Sequence, residues 1–192
     1  MKPTIYVLIL IILLAIAGCS QEDIRSKKLP PADWKTQFSE QLPLLGHRNW
    51  ILVVDKAFPQ QNGSGIITIN TGETLLSVLQ YTLNQINQST HVKPILYTDT
   101  ELKYITEKQV PEIEKFRTDL FGIIPKDKTK TLLHDSVFVQ IAKASELFRI
   151  IVLKTEQVIP YSSVFLLLDC KYWSGENENL LRESIKSNTL IK

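Results

Sequence analysis

Residues Trp50–Val54 form an unbroken apolar run, Trp-Ile-Leu-Val-Val, closed by Asp55. Five apolar positions with no polar alternation, rich in β-branched side chains, read as a strand buried on both faces. A strand of that kind needs covering layers on each side of its sheet, so the run argues for helices packed above and below. Further strand candidates are residues 65–70, 91–97, 131–133, 150–154 and 163–169. Between them lie amphipathic stretches, clearest at residues 75–86, where Leu75, Leu76, Leu79, Leu83 and Ile86 make one stripe that Asn70 or Thr71 can cap. Strands alternating with helices predict a layered α/β/α domain around a central mixed sheet.

The remaining signals place boundaries. Asp33 caps a short helix with Trp34, Phe38, Leu42 and Leu45 on one face, which Pro43 tightens or breaks. Pro94 suits an edge or a strand start. Helical pieces are expected over 100–106 and 111–121, a lysine-rich loop over 122–130, and a helix capped by Asp135 that carries Val137, Phe138, Ile141, Leu147 and Phe148. One more short helix is expected at 180–185.

The N-terminus reads as an export signal. Lys2 precedes an apolar run over residues 5–17, which is short for a membrane-spanning helix, and Ala17-Gly18-Cys19 follows. Residues 14–19 resemble a bacterial lipobox, which implies cleavage after residue 18, lipidation of Cys19 and a lipid-anchored protein of the cell envelope. In lipoproteins of the enterobacterial type an aspartate after the cysteine favours inner-membrane retention, so with Ser20 there the resemblance implies the outer membrane, facing the periplasm or the surface. Residues 19–32, polar and ending in Pro30-Pro31, form a tether, and residues 33–192 form one domain. With Cys19 lipidated, Cys170 has no partner for an intramolecular disulfide. The net charge of +2 gives no field to hold nucleic acid. Three histidines without acidic or cysteine partners at ligand spacing argue against a metal site, and there is no phosphate-cradling glycine loop.

Two patches about a hundred residues apart carry the candidate chemistry, Leu45-Gly46-His47 running on to Asp55-Lys56-Ala57-Phe58-Pro59, and Lys154-Thr155 running on to Pro160-Tyr161-Ser162-Ser163. His47 can accept and donate a proton near neutral pH, and its alternative role is to bond the carbonyls that end a helix. Asp55 sits at the carboxyl end of a strand, where ligands collect in open α/β sheets, and its alternative is a turn aspartate bonding its own backbone. Five or six extended residues span roughly 16–20 Å, so the two side chains cannot meet along one straight strand. Lys154, Tyr161 and Ser163 can each bond the hydroxyls of a small polar substrate, and the Tyr161 ring can also pack on a ligand's apolar face. His134 is a further substrate-binding candidate, with a loop histidine as its alternative, and Lys143 reads as a helix-surface lysine.

Together the patches resemble the D-ribose pyranase / L-fucose mutarotase family over about residues 38–168. The Gly-His pair, the eight-residue step from His47 to Asp55, the closing Phe58-Pro59 and the later Pro-Tyr segment carry the likeness. Ser163 stands where the family has asparagine, and Glu156-Gln157 replace its usual Gly-Glu. The resemblance implies the family's fold and a cofactor-free isomerase that interconverts ring forms or anomers of a free monosaccharide. It also implies His47 as the proton-transferring residue and a homo-oligomer with sites at subunit contacts. The rival expectation is a sugar-binding or structural envelope lipoprotein that kept the fold without turnover.

Overall fold

A computed structural model describes residues 33–189. The leader expected over residues 1–18, Cys19 and the tether expected up to residue 32 lie outside the described residues. Among the described residues no helix is long and apolar enough to cross a membrane.

Helix α1 (Trp34–Gln41) starts where Asp33 accepts the backbone N–H groups of Lys35 and Thr36 at 2.9 and 3.1 Å. Pro43 ends it by tightening the chain into a 3₁₀ turn, Leu42–Leu44. Strand β1 (Trp50–Val54) and β2 (Ile66–Asn70) follow, then α2 (Leu75–Gln88), β3 (Val92–Asp99), a 3₁₀ turn at Thr100–Tyr104 and α3 (Ile113–Ile123). Strand β4 (Lys130–Leu132), α4 (His134–Ser145), β5 (Ile150–Lys154), β6 (Val164–Cys170) and α5 (Gly175–Thr189) complete the order.

The six strands form one mixed sheet in the order β2-β5-β1-β6-β3-β4. Strands β1 to β5 run one way and β6 runs against its neighbours β1 and β3. The central place of β1 explains its unbroken apolar run, since all five residues are buried. Its pleat sends alternate side chains to opposite faces. Ile51 and Val53 join the cluster under α1, α2 and α3, with Phe38, Leu79 and Phe116. Trp50, Leu52 and Val54 join the cluster under α4, with Val137, Ile141 and Phe165. Burial of such a side chain stabilises by roughly 1.5–3 kcal/mol, so this one strand anchors both layers.

Several boundaries differ from the sequence expectations. Helix α2 is capped by Thr74, which accepts from Ser77 N–H at 3.4 Å, while the Thr71 hydroxyl donates to the Lys154 carbonyl at 2.9 Å and accepts from Glu73 N–H at 3.3 Å, ahead of the helix. Pro94 lies inside β3, opposite Leu168 of β6, yet β4 pairs only with Tyr97, Thr98 and Asp99, so β3 is an edge where the proline sits. Helix α4 begins at His134, one residue before the expected cap Asp135 and at a residue expected in a loop, and it stops before Leu147 and Phe148. Helix α5 runs much longer than the expected short piece. At Gly65 the start of β2 meets the turn after α4, and a Cβ there would lie 2.4 Å from the Ser145 carbonyl oxygen.

Candidate functional site

Because β6 is reversed, its start lies at the same end of the sheet as the carboxyl ends of β1 to β5. Asp55, Asp99, His134, Lys154, Tyr161 and Ser163 all fall at that end. His47 does not. It precedes β1 at the opposite end, where Arg48 N–H donates to the Leu168 carbonyl at 2.8 Å. About 16 Å of extended strand separates it from Asp55. There His47 is exposed and lines a different cavity of about 660 Å³ with Arg48, Cys170, Tyr172, Trp173 and Arg182.

The two sequence patches meet at the first end. Thr155 N–H and its hydroxyl both donate to the Val54 carbonyl, at 3.0 and 2.7 Å, and Lys56 N–H donates to the Gln157 carbonyl at 2.7 Å. Lys56 also pairs with Glu156. The Lys154 ammonium donates to the Phe58 carbonyl at 2.9 Å, so it braces the loop after β1.

Asp55 is 8% exposed. One of its carboxylate oxygens accepts from Ala57 N–H at 2.9 Å, an Asx-type turn, and the other accepts from the Ser163 hydroxyl at 3.0 Å. Asp55 N–H in turn donates to the Ser163 oxygen at 3.2 Å. Ser163 is fully buried, so it reaches the site through Asp55.

A cavity of about 210 Å³ opens over this carboxylate, lined by Asp55, Phe58, Pro59, His134, Pro160 and Tyr161, with Ala57. That is smaller than the roughly 300 Å³ at which pockets for drug-sized ligands begin, a scale for one small molecule. Its walls are aromatic. Phe58 stacks on Phe138 with centroids 5.3 Å apart, and the His134 ring stands edge-on to Phe138 and Tyr161 at 5.0 and 5.1 Å. Tyr161 has φ 56°, left-handed backbone that a bulky residue rarely adopts and that is found where a site holds a side chain in place.

Sequence reasoning passed over Asp99. It ends β3, is 1% exposed, and its Oδ1 lies 3.2 Å from His134 Nδ1, while Oδ2 has no hydrogen-bond partner. Burial pushes its carboxyl up to about 6, the neighbouring charges of Glu101 and Asp55 add to this, and His134 opposes it. Glu101 also accepts the backbone N–H of His134, at 3.1 and 3.2 Å, and so supplies the N-terminal cap that α4 lacks locally. The available signal was an aspartate closing a strand, the same one that marked Asp55. Lys143 is exposed on α4. Among the described residues, no group of three or more His, Cys, Asp or Glu side chains is arranged to hold a metal ion.

No protein-family model matches the chain, and no curated protein sequence does. Solved structures do. Bacillus subtilis RbsD complexed with D-ribose superposes with a TM-score of 0.51 at 14% identity, over 70% of this chain and 92% of that one. FucU from Bifidobacterium longum gives 0.47 at 16% identity, over 70% and 94%. The fucose mutarotase of Streptococcus pneumoniae in complex with L-fucose gives 0.48 at 16%, over 69% and 91%. At such identities the likeness is one of fold, and the six-stranded mixed sheet with helices on both sides is an α/β fold similar to that of the ribose-bound RbsD.

Proposed function

We propose that the chain binds a free monosaccharide in the cavity over Asp55 and interconverts its ring forms or anomers without a cofactor. The observation that carries this reading is the convergence of Asp55, His134 and Tyr161 on one small aromatic-walled cavity, at the carboxyl ends of the strands of a fold similar to ribose-bound RbsD. Ring opening removes the proton of the anomeric hydroxyl, breaks the bond from the anomeric carbon to the ring oxygen and gives a proton to that oxygen. Closure runs the same steps in reverse onto the other face or another hydroxyl. Asp55, already oriented by Ser163 and Ala57, accepts sugar hydroxyls, Tyr161 offers a phenol and a ring face, and Lys154 and Ser163 hold the loops that carry them.

His47 is the proton-transferring residue in this reading, and a second copy of the chain supplies it. A composite site in a homo-oligomer answers the 16 Å gap along β1. The protein is further proposed to be anchored to the cell envelope through lipidated Cys19. The second reading is a sugar-binding or structural envelope lipoprotein without turnover. Ser163 favours it, since its hydroxyl is committed to Asp55 where the resembling family has an asparagine amide.

Exchange NMR of ribose and fucose tests both readings. Catalysed exchange, abolished in His47→Ala and in Asp55→Ala, is expected. Co-refolding the two inactive variants should recover about a quarter of the sites, because each mixed interface pairs an intact His47 with an intact Asp55. Saturable binding with no exchange leaves the sugar-binding form of the second reading, and neither binding nor exchange removes every sugar role and leaves only its structural form.

A further inference from the structure

We propose that Asp99 is a positioning residue that holds His134 in the tautomer protonated on Nδ1, so that Nε2 meets the cavity as a bare acceptor and the pair forms a second proton-handling unit of the site. The role in turnover rests on the isomerase reading above, whereas the tautomer rests on the geometry of the pair with Asp99 ionised. His134 is held at three points. Its backbone N–H is on Glu101, its ring is edge-on to both Phe138 and Tyr161, and its Nδ1 is on Asp99. Position and ring plane are thereby set, and the remaining variable is which nitrogen carries the proton. An ionised carboxylate only accepts, so Nδ1 must donate. With Nδ1 committed to a buried partner, the ring's remaining polar atom at the cavity is Nε2, for which no hydrogen-bond partner is found among the described residues.

Asp99 is an expensive residue to keep for structure alone. It is almost completely buried, one oxygen is unpartnered, and His134 is its one charged-group contact within ion-pair distance. Such groups persist where they serve a site. The titratable and charged groups around the pair are Glu101 at the start of the 3₁₀ turn, Asp55 after β1 and the Tyr161 phenol in the cavity, together with Lys103, Glu114, Arg117 and Lys126 around a separate cavity of about 420 Å³ that Asp99 also lines. When Nε2 takes a proton from a sugar hydroxyl, the unit passes from carboxylate–imidazole to carboxylate–imidazolium. Returning that proton to a sugar oxygen restores it, so no other reactant is required.

Long-range ¹H–¹⁵N correlation spectra of the histidine-labelled full chain at pH 8, without sugar, read the tautomer directly. His134, assigned by loss of its signals in His134→Gln, is expected to show a protonated Nδ1 and a bare Nε2. A protonated Nε2 in the wild type overturns the proposal whether or not the protein acts on sugars. Asp99→Asn, whose amide can donate to Nδ1, is expected to shift His134 to the Nε2-protonated form. In that variant ring exchange should fall at least tenfold while sugar affinity stays within about threefold. A variant with the switched tautomer and an unchanged exchange rate overturns the role in turnover. If the wild type shows no exchange, the isomerase reading and this role in turnover fall together, and the wild-type spectrum still decides the tautomer.

Discussion

Replacing Asp99 by asparagine should stabilise the fold at neutral pH, and the size of the effect follows from the burial of one carboxyl. Asp99 is 1% exposed, Oδ2 has no partner, and burial with the charges of Glu101 and Asp55 pushes its carboxyl from an ordinary 3.8 up to about 6. Between those values the native protein keeps a proton that the unfolded chain has released. The native state then binds more protons, so stability falls as pH rises through this window. About two pH units at 1.36 kcal/mol each sets the loss at up to about 3 kcal/mol, complete once the folded carboxyl has ionised. Asparagine has nearly the same shape and no such titration. Chemical denaturation of both proteins at pH 4 and pH 7.5 should show Asp99→Asn gaining up to about 3 kcal/mol relative to wild type at the higher pH. For a domain of this size that is about 6–12 °C in melting temperature. A wild type that gains stability relative to the variant between pH 4 and pH 7.5 would refute the reasoning, because it would mean that the ionised carboxylate is well solvated or paired.

Two substitutions test the framework around the site. Gly65→Ala places a methyl 2.4 and 2.7 Å from the backbone carbonyl oxygens of Ser145 and Phe148, which cannot rotate away, so a loss of about 1–3 kcal/mol or more in urea denaturation is expected, and a change below about 0.5 kcal/mol would contradict the close approach of β2 to the turn after α4. Ser163→Ala strips a buried hydroxyl from both the carboxylate and the N–H of Asp55, which should cost about 1–3 kcal/mol by the same measurement; full stability in the variant would show that the Ala57 N–H and solvent suffice for Asp55.

What could be read in advance is what depends on neighbours in the chain. Strands β1 and β5 fall on the expected residues, since their burial on both faces is written as continuous apolar runs, and the stripe Leu75, Leu79, Leu83 and Ile86 is the buried face of α2. Asp55 could be singled out because it follows directly on such a run. The start of α4 could not, since its cap is the Glu101 carboxylate, 33 residues upstream. The pairing of Asp99 with His134 was hidden for the same reason. Thr98 and Asp99 extend β3 beyond its apolar pattern, and no local signal says that the end of β3 lies against the first residue of α4. The fold class followed from alternation of elements, whereas the strand order required contacts far apart in sequence.

That order also determines what a single copy can bring to the cavity. Strand β6 lies between β1 and β3, so the residues closing those strands stand two strand spacings apart, about 10 Å, with the start of β6 between them. The spacing is short enough for the Asp55 charge to raise the Asp99 carboxyl. It is also wide enough to leave room for a small ligand, with Tyr161 delivered by the turn that leads into reversed β6. Had β6 run with its neighbours, its start would lie beside His47, and Tyr161 and Ser163 would be with the histidine, not with the carboxylates. Strand β1 itself separates His47 from Asp55, and the reversal of β6 puts Tyr161 at the end with Asp55, Asp99 and His134. In the proposed isomerase, proton transfer within a single copy would use His134, and His47 would reach a sugar above Asp55 only across a contact between copies.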